Sequence, residues 1–211
     1  MYIPSHFRMS DPEEITSFIH DHSFGILVND VDHQPFATHL PFLYDAEENV
    51  LFAHLAKANP QWRSLDGQTV MVIFSGPHAY ISPSWYEVPA SVPTWNYVVV
   101  HVYGKCTIVD NDEELADLLR RTLQFYEPDS DLASQAAEPF FQNLMKAIVG
   151  IRIEITDVQG AAKLSQNKST DVQQRVIANL LRSGDIGSKA VAERMQTRLG
   201  DTEGVDGNAD S

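Results

Sequence analysis

The sequence has a single cysteine, no long apolar run and no leader-like start. Cys106 is the only thiol among 211 residues, so it can form neither an intrachain disulfide nor a multi-thiolate metal site. No apolar run approaches the roughly 20 residues that a membrane-spanning helix needs. The first residues show no charged segment followed by an apolar one. We therefore expect a cytoplasmic protein without a membrane span.

Motifs of several large enzyme classes are also missing. The sequence contains no H-E-x-x-H zinc motif, no Walker loop, no G-x-G-x-x-G dinucleotide motif and no G-x-S-x-G serine elbow. The eight histidines form no ligand pattern, since His20 and His22 are two apart on a predicted helix and point away from each other. We predict no metal site and no nucleotide binding by a glycine loop.

Basic residues are scarce and unevenly placed. Fifteen lysines and arginines against 29 acids give a formal net charge of -14, which repels polyanions at long range. Residues 170–200 nevertheless carry five bases and three acids, whereas residues 201–211 carry four acids and no base. The polar composition of this last segment predicts a disordered acidic tail. Any contact with nucleic acid must therefore be local.

Apolar periodicity predicts an α+β protein with an antiparallel sheet. Ser10-Asp11-Pro12-Glu13 is a capping pattern that begins a helix from about Asp11 to His22. Strands with hairpin-length gaps follow, which is typical of an antiparallel sheet or barrel. Further helices are predicted over 112–126 and 139–149, and beyond Lys168 to about Leu199 with a break at 184–187. The predicted strands cover residues 24–29, 36–44, 50–55, 69–74, 97–109 and 150–158.

Residues 51–62 end a predicted strand with several polar donors. The segment reads L-F-A-H-L-A-K-A-N-P-Q-W, and Pro60 turns the chain after Lys57 and Asn59. At a strand end, an ammonium, an amide and free backbone N–H groups can converge on a phosphate dianion. A surface lysine beside an ordinary turn explains the segment equally well.

Residues 70–97 combine an apolar strand with two aromatic groups. Ser75-Gly76-Pro77 is predicted to bend the chain after the strand, before His78 and a cluster around Trp95-Asn96. Flat aromatics beside amide and hydroxyl donors suit a flat heteroaromatic ligand. The alternative is that these residues form a core or a dimer interface, which aromatic residues favour for their area.

Residues 163–168 follow the last predicted strand and are too polar for a core. The segment is Lys163-Leu164-Ser165-Gln166-Asn167-Lys168. It is either a solvated loop or a set of donors, namely Lys163, Ser165, Gln166 and Asn167, around an anionic ligand that the other subunit could hold.

These segments, in this order, resemble the PaiB-type family of FMN-binding negative transcriptional regulators. The resemblance rests on M-Y-I-P, H-L-A-K-A-N-P-Q-W, F-S-G-P-H-A-Y-I-S-P-S-W-Y, P-T-W-N-Y, H-V-Y-G-K and K-L-S-Q-N, and it covers about residues 1–183. It implies an antiparallel split β-barrel of the FMN-binding type, shared with pyridoxamine phosphate oxidase relatives, with flanking helices and a C-terminal helical pair. It also implies a homodimer with FMN at the subunit interface.

The resemblance places the cofactor site on particular residues. The flavin phosphate is expected at His54, Lys57 and Asn59, and the isoalloxazine along Thr38-His39-Leu40-Pro41. The oxidase relatives carry an arginine beside a lysine at the phosphate, whereas here Ala56 precedes Lys57. Together with the residues from the other two segments, the predicted cofactor-binding set is Thr38, His39, Leu40, Pro41, His54, Lys57, Asn59, Ser75, His78, Trp95, Asn96, Lys163, Ser165, Gln166 and Asn167.

Three functional hypotheses follow. The first is an FMN-binding regulator that represses genes, with DNA contacted by Lys189, Arg194 and Arg198 on a C-terminal helix-turn-helix; the alternative for this helix pair is a plain hairpin. The second is an FMN-dependent oxidoreductase, either a flavin reductase or an oxidase, that does not contact DNA. The third is a haem-binding or haem-degrading split-barrel protein. Whether the protein is an enzyme stays open at this stage.

The expected domain organisation has three parts. Residues 1–168 form the split-barrel FMN-binding domain, residues 169–199 form the helical hairpin on or beside the barrel, and residues 200–211 form the acidic tail.

Overall fold

A computed structural model describes residues 1–131 and 143–206 of the chain, and for 201–206 it describes the backbone alone. Eight β-strands and four α-helices make up this part of the chain, together with three short 3₁₀ helices. The helices are α1 (Pro12–Asp21), α2 (Asp112–Tyr126), α3 (Thr170–Ser183) and α4 (Ile186–Asp206). The strands are β1 (Arg8–Met9), β2 (Phe24–Val31), β3 (Gln34–Pro41), β4 (Leu43–Asp45), β5 (Val50–Ala56), β6 (Thr69–Ile81), β7 (Thr94–Val109) and β8 (Ile148–Lys163).

One sheet contains all eight strands in the order β3-β2-β6-β7-β8-β5-β4, and β1 pairs with β8 off this path. The pairs whose register is resolved, such as β2 with β3 and β5 with β8, are antiparallel. β3 stands at one end of the order and β4 at the other. The α+β class with an antiparallel sheet is thus confirmed. None of the described helices is long and apolar enough to cross a bilayer.

The chain forms two compact units. The sheet unit comprises Asp11–Phe74 and Val100–Gln159, and the helical unit comprises Met1–Ser10, Ser75–Val99 and Gly160–Ser211.

Strand alternation builds the core of the sheet unit. Every second residue of β6 up to Phe74 is buried, and Leu27 of β2 and Ile151 of β8 are fully buried as well. The rings of Phe42 and Phe74 meet edge to face with their centroids 5.6 Å apart. Gly25 packs on the same ring, and a Cβ there would lie 2.9 Å from Phe74. The period-2 pattern of the sequence therefore specifies the buried face.

Helix α2 covers part of the outer face of the sheet unit. Its N-cap, Asn111, accepts hydrogen bonds from the N–H groups of Glu113 (2.8 Å) and Glu114 (3.4 Å). Leu115 and Leu118 pack with residues of β7, β8 and the segment before β8 in a buried cluster. The predicted bounds of this helix, 112–126, are confirmed.

Helices α3 and α4 form a hairpin in the helical unit. Gly184 ends α3 at a φ of +71°, a conformation that glycine adopts without strain. Asp185 then accepts a hydrogen bond from the N–H of Ser188 (2.8 Å) and caps α4. The apolar faces bury Val176 and Leu180 of α3, and Val191, Ala192 and Met195 of α4.

Several predicted boundaries are wrong. The strand predicted over 36–44 is divided at Phe42 into β3 and β4, although the Phe42 N–H still donates to the Ser23 carbonyl (2.8 Å) in line with the β2–β3 ladder. β6 does not end at Ser75 but continues to Ile81. Its resolved pairs with β2 end at Ile73, so Pro77, which lacks an N–H, lies beyond that ladder. β8 continues to Lys163 because β1 pairs with it there.

Two predictions concern segments that are only partly described. Of the helix predicted over 139–149, residues 139–142 lie outside the described residues, and Ile148 and Val149 belong to β8. The backbone of α4 is helical to Asp206, and residues 207–211 of the predicted tail lie outside the described part.

Gly104 is a position where the packing of β7 against β8 leaves no room for a side chain. A Cβ there would press on the Glu154 carbonyl and lie 2.6 Å from Ile153 Cγ2. We expect Gly104→Ala to lower the free energy of unfolding by about 1 to 3 kcal/mol, measured by urea denaturation. Gly200→Ala, in α4 with no neighbour within 4 Å, is the control and should be neutral or stabilising. An unchanged midpoint for Gly104→Ala would contradict this packing.

Candidate functional site

The chain makes a tight turn where β5 ends, here called the exit turn (residues 57–61). Its backbone is fixed at the first residue, because the Lys57 N–H donates to the Ala147 carbonyl (2.7 Å) and the Lys57 carbonyl accepts from the Trp62 indole (2.9 Å). The Lys57 side chain is exposed. No residue of the described chain pairs with its ammonium, which leaves a positive charge available at the strand end.

Asn59 connects the exit turn to β3. Its Oδ1 accepts from the Gln61 N–H (3.0 Å) and its Nδ2 donates to Thr38 Oγ1 (2.9 Å). Pro60 follows at the first position of a 3₁₀ helix, Pro60–Ser64, which the Asn59 side chain caps. The structure thus brings Thr38 and Asn59 into contact, with Lys57 two residues before Asn59 in the same turn.

A buried polar network lies beneath the exit turn. Gln61 has no exposed surface, and its Nε2 donates to Asn29 Oδ1 (2.8 Å). Asn29 in turn donates to Ser64 Oγ (3.1 Å) and Gln68 Oε1 (3.2 Å). Gln61 Oε1 is buried without a partner within the described residues. Sequence reasoning missed Gln61 and Asn29, because a polar residue in a loop or strand gives no sign in the sequence that tertiary packing will bury it.

A cavity of about 380 Å³ adjoins Lys57. Most of the residues that line it are apolar. Its charged residues are two lysines, Lys57 and Lys146, and two acids, Asp110 and Asp112. The Lys146 ammonium is held by Asn143 Oδ1 (3.0 Å). The full lining is Lys57, Trp62, Ile108, Val109, Asp110, Asp112, Leu115, Met145, Lys146, Ile148 and Val149.

The segment Thr38–Pro41 lies on β3, the terminal strand of the sheet. Thr38 pairs with Leu27 and His39 with Ile26 of β2. Because β3 is terminal in the strand order, the edge away from β2 presents backbone N–H and C=O groups that a ligand can use. Leu40 is buried, whereas His39 is exposed with its ring centroid 6.1 Å from that of Phe24.

His54 lies on β5 opposite Gly150 of β8. The side chain is half-buried, and burial lowers the pKa of its imidazole below the ordinary value of 6.5. The neutral ring can donate or accept a hydrogen bond near pH 7 but does not supply positive charge. Of the three residues predicted to hold a phosphate, Lys57 is therefore the cation.

The donor set around the exit turn suits an oxyanion. The Lys57 ammonium and the Thr38 hydroxyl are hydrogen-bond donors, and Asn59 is held between Thr38 and the turn. A flat group attached to such an anion could use the free edge of β3. The residues of the sheet unit thus fit the phosphate and the ring system that the resemblance implies.

Exposed aromatic side chains form a cluster in the helical unit. Trp95 is 53% exposed and Tyr80 is 48% exposed, with ring centroids 6.0 Å apart in an edge arrangement. The His78 ring lies 6.0 Å from Trp95. Ser75 is exposed at the start of this part of β6. The exposed rings of Trp95, Tyr80 and His78 are available for stacking on a flat ligand.

The other predicted residues of the helical unit mostly satisfy one another. Asn96 is fully buried and exchanges hydrogen bonds with Ser165 (3.0 and 3.2 Å). Gln166 turns back onto the backbone of its own segment, at Leu164 and Ala162. These contacts favour a structural role for Asn96, Ser165 and Gln166. Lys163 bonds Thr94 Oγ1, and Asn167 is exposed.

The predicted DNA-contacting residues do not share one face of α4. At 100° per residue, Arg194 and Arg198 lie about 140° and 180° around the helix from Lys189. Lys189 also approaches Glu193 at 3.9 Å on the next turn. A helix that lies in a DNA groove needs its basic side chains on the side that faces the DNA. The arrangement therefore favours the plain hairpin over a DNA-reading helix.

Cys106 does not belong to the candidate site. The thiol is buried, and burial raises its pKa to about 12. It fills a strand position and is not a reactive thiolate.

Comparisons with known proteins match most of the chain. A family model described as "Putative FMN-binding domain" matches residues 1–157. "Protease synthase and sporulation protein PAI 2" of Bacillus subtilis is 40% identical over 205 residues, covering 94% of this chain and 98% of that protein. An uncharacterized protein of Emericella nidulans is 28% identical over 244 residues, covering 94% of this chain and 97% of its own.

Solved structures share the fold at low identity. The flavocytochrome Anf3 of Azotobacter vinelandii superposes with a TM-score of 0.63 at 14% identity, covering 76% of this chain and 72% of that one. The FAD and heme binding protein of Mycobacterium smegmatis gives 0.62 at 14%, covering 84% and 80%. These similarities confirm the split-barrel fold and carry no argument about the ligand.

The lowered pKa of His54 predicts a pH dependence of stability. The unfolded chain takes up a proton on His54 at a higher pH than the folded chain does, so the free energy of unfolding falls as the pH drops below about 6.5. We expect His54→Gln to lose less stability than the wild type between pH 7.5 and pH 5.5, measured by urea denaturation at both values. Equal losses would show that His54 is accessible to protons in the folded protein.

Proposed function

The chain belongs to the PaiB-type family of FMN-binding proteins, and we propose that it binds FMN as a homodimer and acts as a regulatory protein. The observation that carries the proposal is the exit turn at the end of β5, where the Lys57 ammonium has no partner among the described residues and Asn59 bonds the Thr38 hydroxyl. Donors of this kind at a strand end hold a phosphate dianion. Family membership alone supports a flavin, and the exit turn supports the phosphorylated form.

In this proposal each residue has a defined task. Lys57 neutralises charge on the phosphate, and Thr38 donates a hydrogen bond to it. The free edge of β3 from Thr38 to Pro41 orients the ring system through backbone groups. Bound FMN supplies the capacity to accept or release a hydride or single electrons.

A regulatory role is proposed from the relative with the higher identity. The name of the Bacillus subtilis protein links it to protease synthesis and sporulation, which are processes rather than reactions. We extend this role to the present chain because the alignment covers nearly all of both proteins. The three basic residues predicted to contact DNA do not share one face of α4, which favours a regulatory role without direct DNA contact. An FMN-dependent oxidoreductase activity is the alternative, and it needs no change in the proposed site.

A half-buried apolar face of the sheet unit supports the homodimer. Ile26 and Val28 of β2 stand beside Ile73 and Met71 of β6 in register, on the side of the sheet away from the core. His101 of β7 belongs to the same side by strand alternation, and its Nδ1 is buried without a partner in the part of the chain that the structure describes. A second copy would cover these side chains. Localisation in the cytoplasm stays a prediction from the sequence.

Removal of the Lys57 ammonium tests the phosphate site. We expect Lys57→Ala to weaken FMN binding by about 1.5 to 3 kcal/mol, the usual contribution of a hydrogen bond to a charged group. The measurement is quenching of flavin fluorescence on titration with protein. Lys146→Ala is the matched control, since this lysine lines the same cavity but is bonded to Asn143. A loss as large for Lys146→Ala as for Lys57→Ala would place the phosphate elsewhere in the cavity.

A charge placed in the apolar face tests the dimer. We expect Ile73→Asp to shift the protein from dimer to monomer, because the carboxylate would be buried without a partner at the interface. Sedimentation velocity measures the mass of the particle. Gln124→Asp, which adds the same charge on the exposed side of α2, should stay dimeric. A wild type that sediments as a monomer at micromolar concentration would refute the homodimer.

A further inference from the structure

The orientation of the Asn59 amide is fixed by its neighbours. One end of the amide lies 3.0 Å from the backbone nitrogen of Gln61, and the other lies 2.9 Å from Thr38 Oγ1. A backbone N–H can only donate, so the end that faces Gln61 must be the oxygen. The end that faces Thr38 is therefore the NH₂ group. The amide cannot be flipped without losing the hydrogen bond that caps the turn.

This orientation decides how the Thr38 hydroxyl is used. Thr38 Oγ1 accepts a hydrogen bond from Asn59, so its own hydrogen remains for another acceptor. Across residues 1–131 and 143–206, no acceptor for that hydrogen is found. The side chain is half-buried, where an unused donor carries a cost. The Thr38 hydroxyl can therefore donate to a ligand oxygen.

The buried polar network beneath the exit turn keeps the Asn59 amide in this orientation. The Gln61 side chain is fully buried and bonds to Asn29 Oδ1 (2.8 Å), and the Gln61 carbonyl accepts from Ser64 Oγ (3.0 Å). The Gln61 N–H therefore keeps its direction toward Asn59. Groups held in this way before a ligand arrives bind it without a further loss of conformational freedom.

We propose that Asn59 is a positioning residue that commits the Thr38 hydroxyl to donate to a phosphate oxygen of the ligand, so that the exit turn selects FMN over riboflavin. This inference rests on the proposed function. Lys57 stands two residues before Asn59 in the same turn, and Thr38 Oγ1 is bonded to Asn59. Both groups are donors, and together they favour a ligand with an anionic group over its neutral analogue. Asn59 itself does not touch the ligand.

Isosteric variants of Thr38 test the donor. We expect Thr38→Val to weaken FMN binding about tenfold or more, the loss of one hydrogen bond to a charged group. Riboflavin, which has no phosphate, should bind to the variant within about twofold of the wild type. Thr38→Ser keeps the hydroxyl and should restore most of the FMN affinity. Both affinities are measured by flavin fluorescence quenching, and thermal unfolding of the ligand-free variants checks that they fold.

Asn59→Asp tests the direction of the hydrogen bond. The carboxylate still accepts from the Gln61 N–H and caps the turn, but its second oxygen now accepts the Thr38 hydrogen and removes it from the ligand. We expect FMN binding to fall at least tenfold. Asn49→Asp adds the same charge before Val50, at the opposite end of β5, and should leave FMN affinity nearly unchanged.

A double-mutant cycle separates the hydroxyl from the added charge. Asn59→Asp should cost FMN affinity less in a Thr38→Val background than in the wild type, because the donor is already absent. Equal costs in the two backgrounds, or an equal loss of riboflavin and FMN in Thr38→Val, would overturn the inference while leaving FMN binding intact. If the wild type binds no FMN at all, the proposed function fails and the inference fails with it.

Discussion

Buried polar groups need hydrogen-bond partners, and this need governs the turn after β5. Gln61 is fully buried and Asn29 nearly so, and Gln61 Nε2 donates to Asn29 Oδ1, whereas Gln61 Oε1 has no partner among the described residues. The turn cannot rearrange without leaving several of these groups unpaired, at a cost of about 1 to 3 kcal/mol each. The orientation of Asn59 follows from this network, whereas the Lys57 backbone is held by the Ala147 carbonyl and the Trp62 indole. The exposed residues of the turn, which belong to the candidate site, are thus supported by a buried hydrogen-bond network.

The same constraint explains which parts of the site could be predicted from the sequence. Lys57 and Asn59 were predicted because a strand end followed by Pro60 leaves polar side chains at the surface, and Thr38 because the family resemblance includes its strand. Gln61 and Asn29 were not predicted, since their burial depends on strands distant in sequence. Asn96 and Ser165 were predicted as ligand residues from their polarity, yet they bond each other inside the helical unit. Polarity in a sequence does not distinguish a binding group from a buried pair.

Some elements of the fold could likewise be predicted from the sequence, and others could not. Helix α2 could be predicted to its end residues because a cap, a leucine face and an acidic first turn agree with one another. The strand predicted over 36–44 is divided into β3 and β4, and β6 continues to Ile81, beyond its last resolved pair with β2 at Ile73. Local patterns specify which residues form a strand. The neighbouring strands specify where it ends.

The proposed site joins one cation, one hydroxyl and one strand edge around a phosphorylated flavin, and the proposed regulatory role rests on similarity to a relative and not on a DNA-reading surface. The most direct test of the phosphate site is the ³¹P NMR signal of FMN bound to the wild-type protein, followed from pH 7.5 to pH 5.5. A phosphate held by an ammonium and a hydroxyl donor stays dianionic below its ordinary second pKa of about 6, so the signal of bound FMN should hardly move. A bound signal that shifts with pH as free FMN does would show that the phosphate lies in solvent and would contradict the account.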